Sequence, residues 1–116
     1  MTLEGLVESF VHHTSAQTAA MLRGDAKAGN THARQRYAAF KKLCAHGDAG
    51  REALAVLLTH SSADVRTMAA AYLLRYRTVE ARAVLEEAAR GQGLIAFEAE
   101  ETLKRWQEGT WALDPG

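Results

Sequence analysis

The chain has 116 residues, 47% of them hydrophobic and 24% charged, and its fourteen Lys and Arg are matched by fourteen Asp and Glu. That length suits one domain with a core of its own, and the apolar share is too high for a disordered chain. A zero net charge argues against a dedicated nucleic-acid binder, which needs a basic excess to displace counterions from phosphate, and no run nears the ~18 apolar residues of a membrane span.

Cys44 is the single cysteine, so no internal disulfide can form. The apolar patch from Leu3 to Val11 is interrupted by Glu4 and Glu8 and has no basic leader. It does not resemble a signal peptide, and a cytoplasmic location is expected. The one proline, Pro115, lies beyond every periodic segment, and no stretch alternates like a strand. Apolar positions recur instead at spacings of three and four.

Leu3, Leu6, Val7, Phe10, Val11, Thr14, Thr18, Met21 and Leu22 form one face of a long helix from about Thr2 to Arg23. Gly24 suits the left-handed residue after a helix, and Asp25 can cap the next one. The second helix carries Ala26, Gly29, Ala33, Tyr37, Phe40 and Cys44 on its stripe. Gly47 and Asp48 repeat the stop and cap. A third helix is predicted over about 49–59, with Ala53, Leu54, Leu57 and Leu58 inside. Ser61 and Asp64 resemble a capping box for the fourth, over about 63–76. That helix is apolar nearly all round and should be the most buried. Thr78 is expected to cap a fifth helix that runs to about Arg90, with Val84, Leu85 and Ala88 inside. A sixth, about 94–108, should bury Ile95, Ala99, Leu103 and Trp106, and Gly109 should end it.

A shift of thirty residues places Val65 on Ile95, Ala69 on Ala99, Leu73 on Leu103 and Tyr76 on Trp106. Helices three and four therefore repeat as five and six, which favours stacked hairpins over a simple bundle. Asp64-Val65-Arg66-Thr67-Met68-Ala69 resembles the second-helix signature of HEAT repeats, although the second copy, Leu94-Ile95-Ala96, lacks the Asp and the Arg. A wider set of segments spans nearly the whole chain. It comprises Gly24-Asp25, Gly47 to Leu54, Asp64-Val65-Arg66, Gly93 to Phe97, Thr102 to Trp106 and Gly109-Thr110-Trp111. With these the chain resembles a small bacterial HEAT-like family named domain of unknown function two thousand and nineteen. The resemblance implies a short right-handed solenoid of about three stacked antiparallel hairpins, all-α, over residues 1–109. It carries no catalytic residues over. Some similar small helical proteins are encoded beside polymorphic toxins, which would imply an immunity protein that binds and blocks a toxin encoded nearby.

The residues themselves give no catalytic, metal or cofactor site. Adjacent His12 and His13 point about 100° apart on a helix, His32 lies on another helix, and no zinc spacing occurs. Cys44 lies on an apolar stripe, where a thiol acts as a small hydrophobe. No phosphate loop or nucleophile elbow is present, and Glu100 with Lys104 and Glu101 with Arg105 are ordinary i,i+4 surface pairs. A non-enzymatic protein-binding module is therefore expected, with another protein as partner. The expected contact face is Arg34 and Lys41, then Thr67, then Glu98, Glu101 and Arg105. The alternative is nucleic-acid binding through the stripe of Lys27, Arg34 and Lys41, with a solvated face as its plainer reading. Oligomeric state stays open. The tail at 110–116 is expected to pack back on the last hairpin, with Trp111 as lid rather than partner anchor.

Overall fold

The computed structural model describes residues 2–111. Among them every regular element is helical: α1 (Leu3–Leu22), α2 (Ala26–Cys44), α3 (Asp48–Ala55) continued by a 3₁₀ turn (Val56–Thr59), α4 (Ala63–Leu73), α5 (Thr78–Ala89) and α6 (Leu94–Glu108). The fold is all-α, built of helical hairpins. Contacts divide the chain into two compact units, residues 1–54 and 55–116.

The first unit is built on the α1–α2 hairpin. Thr2 caps α1 by accepting from the Gly5 amide, and Asp25 caps α2 by accepting from the Ala28 amide. Gly24 between them has φ 77°, a left-handed value at which a Cβ would meet strain. Leu6, Phe10, Thr14 and Ala20 are the buried positions of α1. The Thr14 hydroxyl donates to the Phe10 carbonyl at 2.8 Å, so a polar group is buried without an unmet donor. Leu22 stays exposed, contrary to its place on the expected stripe. On α2 the buried set is Gly29, Arg36, Ala39, Phe40 and Leu43, while Tyr37 is exposed and Cys44 half-buried. The stripe is thus turned from the expected one. Arg36 takes a buried position because its guanidinium donates to the Gln17 side-chain oxygen on α1 and its aliphatic stem packs as an apolar group does. At the following joint, Gly50 of α3 lies directly against the Leu43 backbone.

In the second unit α4 is the most enclosed helix, with Val65, Thr67 and every residue from Ala69 to Leu74 buried. The expected third helix tightens into a 3₁₀ turn over its last four residues. The Ser61–Asp64 capping box does not form. Ser62 is the N-cap without a side-chain bond, the His60 Nδ1 accepts from the Ser62 amide, and Asp64 accepts from Val65. Arg66 closes the corner by donating to the carbonyls of His60 at 2.7 Å and Ser61 at 3.1 Å. Thr78 is not a cap either: it is the first residue of α5, and its hydroxyl donates back to the Leu74 carbonyl. On α6 the inward residues are Ala96, Ala99 and Thr102, leaving Leu103 and Trp106 half-buried on the flank. The second copy of the repeat is therefore offset: Ala99 is enclosed like Ala69, but Ile95 and Leu103 are less enclosed than Val65 and Leu73.

Gly109 ends α6 with φ 77° and turns the chain back. The half-buried Trp111 then donates its indole N–H to the Ala71 carbonyl on α4 at 2.8 Å. Of the expected tail, 112–116 lie outside the described residues. Trp111→Ala should lower unfolding stability by about 2 kcal/mol, combining lost apolar burial with an orphaned carbonyl. Trp111→Phe should cost about 1 kcal/mol, since it removes the donor and keeps a ring. A denaturant melt of Trp111→Ala that matches the parent would show that the indole is not a lid.

Candidate functional site

The second unit contains a groove of about 340 Å³ lined by Leu58, α4, α5, the Gly91-Gln92 joint and the start of α6. It arises because small residues face one another there: Ala63 on α4, Ala88 on α5 and Ala96 on α6 leave space that larger side chains would fill. Leu58, Val84 and Ile95 make the remaining lining apolar, and Arg66 and Glu87 supply one charge of each sign. The bonds of Arg66 to His60 and Ser61 hold its guanidinium in place. Phe97 follows directly on α6 and is 59% exposed. An apolar concavity with a few fixed polar groups is suited to receiving a side chain or a short segment of another molecule.

The expected contact residues fall on both units. Arg34 and Lys41 are exposed on α2 in the first. Arg34 donates to the Thr31 hydroxyl, and the Lys41 ammonium lies 5.8 Å from the centre of the Tyr37 ring. In the second unit Arg105 is exposed, Glu98 and Glu101 are half-buried, and Thr67 is only 5% exposed. Thr67 therefore does not belong to an open contact face. It sits on the inward side of α4, in the groove wall, because α4 is enclosed nearly all round.

A second cluster lies between α1 and α2. The Nδ1 atoms of His13 and His32 face each other at 2.9 Å, and the His12 ring centre lies 4.8 Å from that of His13 and 6.2 Å from that of His32. His13 holds its proton less tightly than an ordinary imidazole. Burial is the main cause, followed by the positive charges available at His12, His32 and Arg36. Sequence reasoning separated these histidines because His12 and His13 point about 100° apart on one helix and His32 lies on another. Their roughly mirrored positions about the Gly24 turn were the available signal. Among the described residues no three His, Cys, Asp or Glu are arranged to hold a metal ion, and no helix is long and apolar enough to cross a membrane.

A crystal structure of the protein RPA1889 from Rhodopseudomonas palustris CGA009 is similar to this chain, with a TM-score of 0.87 and 28% identity over 95% of this chain and 92% of that one. The likeness spans nearly all of both chains, so the all-α fold is common to the two. No protein-family model and no curated protein matches the chain.

Proposed function

We propose that this chain is a non-catalytic protein-binding module whose second unit receives a partner segment in the groove between α4, α5 and α6. The observation that carries the reading is the groove's composition: the apolar side chains of Leu58, Val84 and Ile95 in its lining, with one cation and one anion, Arg66 and Glu87. Binding sites with an apolar centre and a polar rim gain affinity from the first and orientation from the second. The finer reading is an immunity protein, with a toxin encoded nearby as partner, as the HEAT-like resemblance implies.

The exposed cations Lys27, Arg34 and Lys41, with Tyr37 among them, favour a second reading in which α2 meets phosphates. One experiment separates the two. The chain is co-expressed with the product of the gene that neighbours its own and titrated against it, in parallel with duplex DNA at low salt. Val84→Glu should weaken the protein complex by about tenfold to a hundredfold, while Arg34→Glu with Lys41→Glu leaves it intact. Absence of both binding and protection would end the immunity reading. Duplex binding that falls steeply with salt and is lost in the α2 double variant would establish the second reading instead.

A further inference from the structure

The His13–His32 contact can exist only in some protonation states. Two Nδ1 atoms at 2.9 Å need one proton between them, with one ring donating and the other accepting. The donor ring can gain a charge at its far nitrogen and keep the bond. A further proton puts N–H against N–H, and both donors then lack an acceptor. The surroundings also resist added charge. On α1 the facing group is His12, and on α2 they are His32 and the buried guanidinium of Arg36, which is already committed to Gln17. Among the described residues no carboxylate figures among the charges that act on His13.

We propose that the His13–His32 pair is an acid-sensitive latch between α1 and α2, closed by one shared proton and opened by a second on the facing nitrogens. The direction of its effect on stability follows from His13, which binds its proton less readily in the folded chain than at the ordinary value of 6.5. Above that value neither the folded nor the unfolded chain carries the proton, and the latch's contribution is complete. As pH falls below it, the unfolded chain takes the proton while the hairpin resists, so stability declines. The α1–α2 hairpin would then be held more firmly at neutral pH than in an acidified environment.

The test compares denaturant unfolding of the full chain at about pH 7.5 and about pH 5 with that of a variant carrying His13→Asn and His32→Asn, whose amides can hydrogen-bond but do not titrate. The wild-type unfolding constant should rise between these conditions by about tenfold more than that of the variant. Parallel changes in the two proteins would overturn the proposal. Should the variant fail to fold, ¹⁵N shifts of the wild-type imidazoles decide. A bare Nδ1 on one ring and a protonated Nδ1 on the other at neutral pH is expected, with their coupling lost on acidification. Two rings that both carry the proton on Nε2 and titrate independently would refute the latch.

Discussion

Gly50→Ala should destabilise the protein by about 3 kcal/mol or more, a loss measurable as a shifted denaturation midpoint. Intrinsic preference points the other way, since alanine is favoured over glycine inside a helix by about 1 kcal/mol. Geometry decides the sign. A Cβ at position 50 would fall on the Leu43 carbonyl oxygen, with the Leu43 carbonyl carbon and Cα close behind. These are backbone atoms near the end of α2, so no side-chain rotation relieves the overlap. The joint between α2 and α3 would have to open, and Leu43 and Leu54, both buried in the first unit, would lose their packing. A Gly50→Ala midpoint equal to or above that of the parent would show that the joint yields easily.

The second large effect is expected at Leu73. This residue is fully enclosed on α4, which contributes more buried side chains to its unit than any other helix. Leu73→Ala should cost about 2–5 kcal/mol, the sum of lost transfer energy and the cavity left behind. The cost should fall toward the upper part of that range, because the neighbours on α4 include Ala69, Ala70 and Ala71, whose short side chains cannot swing in to fill a void. A loss under about 1 kcal/mol would mean that α4 is not central to its unit.

Helix number and the joints at Gly24, Gly47 and Gly109 were legible because few residues other than glycine accept left-handed φ after a helix. The enclosure of α4 was legible from its unbroken apolar run. Facing directions were read less well. The α2 stripe was misplaced because periodicity counts an arginine as polar, whereas Arg36 is buried with its charge met by a glutamine on the neighbouring helix. The α6 stripe shifted because Ala96, Ala99 and Thr102 allow closer packing than Leu103 and Trp106. Capping pairs failed at Ser61 and Thr78 for a different reason. The Asp64 carboxylate accepts from the Val65 amide instead of reaching back to Ser61, and the Thr78 hydroxyl donates to the Leu74 carbonyl instead of accepting from the helix. The groove was invisible to a one-dimensional reading because it depends on small residues from three helices coinciding in space, and the histidine cluster because it depends on two helices meeting.

Both tryptophans, Trp106 and Trp111, belong to residues 55–116, and the first unit has none. Indole emission is therefore an optical label confined to one half of the chain, and the bond from Trp111 to the Ala71 carbonyl ties that label to α4. Ellipticity at far-ultraviolet wavelengths records the helices of both halves. Coincident curves from these two signals would mean that the halves melt as one cooperative body, while a fluorescence transition displaced from the ellipticity transition would resolve them as separate folding units.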